Sequence, residues 1–242
     1  MPRSKKRATY PSREKSGRAS AVLRQLRAVH NPDAVAGMSR FGITAPRVLG
    51  IAIPVLRLMA REIGMNNRLA IQLWESGIHE ARILGGMIAD PRLLTSRRMD
   101  RWARGFHSWD LCDQTCMNLF RHSPLAIDKC MEWSTSPKEF VKRAAFALMA
   151  VLAVHDAGAT NEVFETFLRR IERCADDERN YVMKGVNWAL RQIGKRNRHL
   201  HVRAVACARR LQSRKSRSSR WIGTDALAEL LSARVTQKRR KT

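Results

Sequence analysis

No run of apolar residues in this 242-residue chain is long enough to span a bilayer, no segment alternates apolar and polar residues as a half-buried strand does, and no two cysteines form a CxxC pair. Each absence removes a class. The first excludes membrane-spanning helices, and the second argues against a sheet. Five cysteines, an odd number, lie scattered in helix-like apolar stretches. With no signal peptide, that leaves neither a disulfide framework nor a zinc site and points to a reducing, cytoplasmic compartment, nucleoid-associated if the source is bacterial. Cys112 and Cys116 read as core residues. Acids are scarce as well, at 21 Asp and Glu against 46 Lys and Arg, for a net charge of +25. Residues 1–30 hold nine cations and one acid, and residues 195–242 hold fifteen and two, which leaves 22 against 18 in between. The excess charge is therefore terminal. Residues 1–18 are expected to be a disordered basic arm and 235–242 a basic tail, with one repeat domain over 19–234. Such flanks attract any polyanion without reading its sequence, and they serve solubility equally well.

What the chain does have is helical periodicity. Apolar residues recur at three- and four-residue spacing, and Pro and Gly fall mainly between the periodic stretches. The helices come in pairs: 97–106 then 109–120, 124–133 then 138–154, 162–174 then 178–193, and 201–211 then 219–231. An earlier group combines 54–63 with 68–74 and 79–89. Second helices start roughly every 30 to 40 residues, the interval of HEAT and armadillo arrays. The fold class predicted is all-α: a HEAT-like helical-repeat solenoid, a right-handed stack of about five or six helix pairs ordered from near Ala19 to near Arg234, with a concave basic face. A monomer is expected.

Three second helices carry chemistry. In the first, Cys112, Cys116, Leu119 and Phe120 form the apolar arc, with Trp109 inside it, Asp113 at its edge and Asp110 further out. A carboxylate beside apolar surroundings costs free energy unless a partner or a function compensates. A capping or salt-bridged Asp beside a core Trp is the plainer reading, and the second Trp-x-x-x-Asp, Trp221 to Asp225, shows how common the spacing is. The helix from Lys138 is apolar all round from Ala144 to Val154, so it is buried between neighbours with its charges at its start. Arg143 is placed at the rim of a cavity, suited to a phosphate or to a carboxylate such as Asp113, and an ordinary pairing with an acidic neighbour is equally open. In the third helix Val182, Met183, Val186, Ala189, Leu190 and Ile193 make one face, and Lys184, Asn187, Trp188, Arg191 and Lys195 lie opposite. An indole among cations fits nucleic acid, where bases stack and the backbone offers phosphates. Packing of Trp188 against the next repeat is the alternative.

The ordered set GITAPRVLGIAIPVLRLMAREIG, HEARILGGMIADPRLL, SWDLCDQ, FVKRAAFALMAVLAVHD and VNWALRQIGKRN resembles the DNA alkylation repair proteins of the AlkD type. The resemblance runs from about Ala28 to about Leu231. It implies a HEAT-like solenoid that holds duplex DNA on its concave face and excises cationic alkylated purines while the lesion stays stacked. It also implies functional residues at Trp109, Asp113, Arg143 and Trp188. One departure accompanies it: Ser108 stands where glycosylases of the family carry a further aromatic residue. The chemistry of the residues agrees. A cationic base is already a good leaving group, so the barrier lies in charge developing on the deoxyribose. Asp113 would stabilise that charge and position the attacking water. Trp109 and Trp188 would add cation–π contacts, and Arg143 would hold a phosphate. Lys184, Arg191, Lys195, Lys142 and Arg220 would grip the strands. No metal or other cofactor is called for, and alkylated double-stranded DNA, with no membrane, is the expected partner. A non-catalytic binder of DNA structures and a repeat scaffold for proteins remain the other two classes.

Overall fold

The computed structural model describes residues 13–45, 47–233 and 235, so most of the basic arm and tail lie outside the described residues. Among the described residues there are thirteen α-helices, two short 3-10 turns and no strand. The chain divides by its internal contacts into two compact units that meet at Ala89 and Asp90.

The first unit holds α1 (Arg13–Ala28), α2 (Pro32–Arg40), α3 (Ile53–Ile63), α4 (Asn67–Glu75) and α5 (His79–Ile88). Helix α1 already begins at Arg13, inside the stretch 1–18 expected as an arm; no proline follows Pro11 within its length to stop it, and it runs through Gly17. Helix α2 lies outside the predicted pairs. Its start is nonetheless marked in the sequence, since Asn31 accepts from the Ala34 N–H at 3.0 Å and Pro32 takes the first helical position. Leu26, Leu56, Leu73 and Leu84 are fully buried where α1, α3 and α4 pack with α5. Below them sits Glu80, 1% exposed. Its carboxylate accepts from the backbone N–H groups of Leu49 and Gly50, each at 2.8 Å, and of Ile51 at 3.4 Å. Gly50 makes that loop possible: its φ is +71°, and a Cβ there would stand 2.3 Å from the Asn31 carbonyl.

The second unit contains α6 (Ser96–Arg104), α7 (Trp109–Asn118), α8 (Ala126–Trp133), α9 (Glu139–His155), α10 (Asn161–Cys174), α11 (Asn180–Arg196), α12 (Arg198–Gln212) and α13 (Arg217–Leu230). All eight predicted helices of this stretch are present, with ends displaced by three residues at most. They form two layers. Helices α7, α9, α11 and α13 contact one another in succession, and α8, α10 and α12 line up behind them. Helix α9 runs through the centre, buried from Val141 to Ala153 apart from Lys142, as its all-round apolar sequence requires. Glycines let the last helices close up. A Cβ on Gly223 would lie 2.4 Å from the Gln212 nitrogen and 2.5 Å from the Ala208 carbonyl, so α13 crosses α12 backbone to backbone.

Candidate nucleic-acid interface

The register of α7 on α9 places the first part of the site. The Cys112 thiol donates to the Phe140 carbonyl (3.7 Å) and the Cys116 thiol, one turn on, to the Ala144 carbonyl (3.6 Å). Asp113 is thereby brought opposite Arg143. The guanidinium grips the carboxylate at both oxygens, Nε to Oδ1 at 3.0 Å and Nη2 to Oδ2 at 2.7 Å, and Nη1 donates to the Tyr181 carbonyl on α11 at 2.9 Å. Both side chains are largely shielded, at 7% exposure for Arg143 and 15% for Asp113. Burial pushes the Asp113 carboxyl above the usual aspartate range, and Arg143 pulls part of that rise back. Arg143 thus sits inward of the rim expected for it. All three of its nitrogens point at protein acceptors, so it orients Asp113, and its phosphate-holding role finds no support in this geometry.

Asp113 faces a cleft of about 360 Å³. Trp109 stands beside it on α7, Lys184, Trp188 and Arg191 come from α11, and Trp221 and Asp225 come from α13. The sequence-based candidates Trp109, Asp113, Arg143, Lys184, Trp188 and Arg191 therefore share one surface. Asn187 also borders it but is buried at 2% exposure, away from the exposed face expected of it, because α13 covers that side of α11. Its Nδ2 donates to Asp225 Oδ2 at 2.6 Å, and its Oδ1 has no partner. Further along, Arg191 and Lys195 both bond Glu229, at 2.6 and 2.5 Å, and Arg191 also lies 3.6 Å from Asp225. The ladder is regular. Residues 187, 191 and 195 rise along α11 in steps of four, and 225 and 229 answer them on α13. With the Gln192 amide turned to satisfy its neighbours, the Trp188 Nε1 donates to it at 3.2 Å, which anchors the indole on its own helix.

Three expected DNA-binding residues lie outside the cleft lining, Lys195 of the ladder just described and two more. Lys142 pairs with Asp177 at 2.9 Å, with both side chains mostly buried, so it belongs to the seam between α9 and the α10–α11 loop. Arg220 is exposed on α13 and donates to the Lys215 carbonyl, outside the cleft lining. Lys184 is the contrasting case, exposed and with no ion pair among the described residues. Trp221 and Asp225, cited above as a sign of how common the Trp-x-x-x-Asp spacing is, turn out to line the same cleft as Trp109 and Asp113. Ser108, just before α7, is fully buried, and its hydroxyl has no partner. Among the described residues no group of three or more His, Cys, Asp or Glu is placed to hold a metal ion. No described helix is long and apolar enough to cross a membrane.

A family model for the DNA alkylation repair enzyme matches residues 22–230. The chain belongs to that family. A solved structure described as "a new family of proteins related to the HEAT-like repeat DNA glycosylases with affinity for branched DNA structures" superposes with a TM-score of 0.72, covering 85% of this chain and 92% of the other at 21% identity. That likeness shows the fold, an all-helical HEAT-like repeat. Comparison with curated proteins gave no match.

Proposed function

We propose that this DNA alkylation repair family protein binds duplex DNA along the cleft face and hydrolyses the N-glycosidic bond of cationic alkylated purines without turning the base out of the stack. The observation that carries the reading is Asp113: a carboxylate locked at both oxygens by Arg143, shielded from water, and flanked in one cleft by Trp109 and Trp188. A positively charged 3- or 7-alkylpurine leaves without help from a general acid. Charge then builds on the deoxyribose, and a fixed carboxylate in a partly desolvated site stabilises it far better than water does. Arg143 keeps Asp113 ionised and aimed. The indole faces add attraction for the developing cation, and Lys184 is the cation best placed to meet a phosphate. The protein acts as a monomer and needs no cofactor.

Release of methylated purine from methylated duplex DNA tests this directly. Asp113→Asn keeps the shape and removes the charge, so release should slow by about a hundredfold, the scale for one preorganised electrostatic group. Asp110, which is not part of the cleft lining, should matter much less when changed to Asn. Equal losses in the two variants, or full activity in Asp113→Asn, would overturn the assignment.

A second reading has a specific motive. The structural neighbour is described by its affinity for branched DNA, and here Arg143 neutralises much of the Asp113 charge. A protein that binds DNA structures without chemistry would keep the cleft and its cations. Absence of methylpurine release from any methylated duplex, with DNA binding intact, would select it.

A further inference from the structure

Helix α13 contributes a wall of the cleft that the reading above does not use. Trp221 lies there with 39% of its surface exposed, across from Trp109 and Trp188, while the rest of its helix buries Ile222, Ala226 and Leu230. Two features hold it in place. Asp225, one turn on, is tied to Asn187 at 2.6 Å, and Gly223 lets α13 lie directly on the α12 backbone. An indole left this open loses apolar burial unless something covers it. Its surroundings say what: the cleft acids Asp113 and Asp225 are engaged by Arg143 and Asn187, while Lys184 has no ion pair among the described residues, so a ligand with an apolar face and negative charge fits.

We propose that Trp221 is a third DNA-contacting indole, taking the flat apolar face of a nucleotide on the far side of the cleft from Asp113. This rests on the DNA-binding half of the function proposed above and is independent of excision. The face comes from one of two sources, an unstacked nucleobase or the C–H side of a deoxyribose. Either contact is dispersive and π-based, so it adds affinity without releasing counterions.

The test compares two synthetic probes, a continuous DNA duplex and the same duplex with a single-nucleotide bulge, titrated across a salt series. Trp221→Ala should weaken binding by about fivefold or more, the lower end for one aromatic contact, with the slope of log K against log salt unchanged. Trp221→Phe should recover most of the loss. A loss confined to the bulged probe identifies the base, and an equal loss on both identifies the deoxyribose. Unchanged affinity in Trp221→Ala, or a loss that comes with a shallower salt slope, overturns the proposal. Thermal melting of both variants separates a binding loss from a folding loss. If the wild-type protein binds neither probe, the proposed function falls with it, whereas normal wild-type binding that Trp221→Ala leaves intact removes only the third indole.

Discussion

Glu80 and Asp113 are both shielded carboxylates on helices, one in each unit, and they are satisfied in opposite ways. Backbone amides of Leu49, Gly50 and Ile51 converge on Glu80, which is 1% exposed and ties a loop to α5. Asp113 is held instead by a single cation, Arg143, and borders a cleft. Burial of a charge is therefore a poor mark of function by itself. What separates the two acids is the identity of the partner and the presence of empty space beside it: amides consume a carboxylate to fix a loop, whereas one guanidinium leaves it bordering an open cleft.

The contrast is broken most forcefully at Glu80. Glu80→Ala would strand three backbone N–H groups, each costing about 1–3 kcal/mol, so denaturant unfolding should show a stability loss of about 4 kcal/mol. Asp113→Asn should behave differently in the same experiment. Its amide oxygen still accepts from one Arg143 nitrogen, but its NH2 faces the other and the cation loses its counter-charge, so stability should fall by about 2 kcal/mol, less than at Glu80, while the chemistry suffers. A collapse of the fold in Asp113→Asn, or an indifferent Glu80→Ala, would erase the distinction.

A pH profile sharpens the comparison next. Burial in the folded state lifts the Asp113 carboxyl above the usual aspartate range, so the folded protein holds that proton more tightly than the unfolded chain does. This group therefore makes the fold less stable as pH rises through the window just above the usual aspartate range, and acid relieves the penalty. Activity has the opposite dependence. The carboxylate must be ionised, so the acid limb of methylpurine release should fall above the ordinary aspartate range, and Asp113→Asn should abolish that limb in whatever activity remains. Asp177 supplies the reverse case for stability: hydrogen bonds from Arg179 and Lys142 hold its carboxyl well below the usual range. Its contribution is present above the unfolded aspartate value and is lost as pH falls beneath it.

The smallest effect concerns cations that already have partners. Glu229→Gln would free Lys195 and leave Arg191 only its 3.6 Å contact with Asp225, so duplex binding at low salt should tighten by a few-fold, since each freed cation is worth roughly one more phosphate contact. Lys184→Ala should instead weaken binding and lower the salt slope by about one. Unchanged duplex binding in Glu229→Gln, with Lys184→Ala weakened as expected, would mean that Arg191 and Lys195 do not reach the DNA even when freed.

Local pattern made much of this legible. Helix periodicity located α6 to α13, and the 100-degree arithmetic put Asp113 at the edge of the apolar arc, where it is found. The burial of Asn187 was not legible, because which side of α11 is covered depends on α13, some forty residues away. A signal did exist: Asp225 and Glu229 share the four-residue step of Asn187, Arg191 and Lys195. The role of Glu80 was hidden for a different reason. Its partners are backbone amides of a glycine turn, and amides leave no trace in side-chain patterns. The inward turn of Arg143 belongs to the same class, since one of its acceptors is the Tyr181 carbonyl.

The cysteines that lock α7 to α9 share one further property with the rest. Cys112, Cys116, Cys130 and Cys207 are buried and Cys174 is half-buried, and burial pushes the thiols of Cys112, Cys130, Cys174 and Cys207 up, to about 12 for Cys207. A thiol held in its protonated form is a weak nucleophile. Electrophiles that methylate purines attack thiolates too, so a protein working where such agents are present would carry those four sulfurs in a form that is slow to react with them.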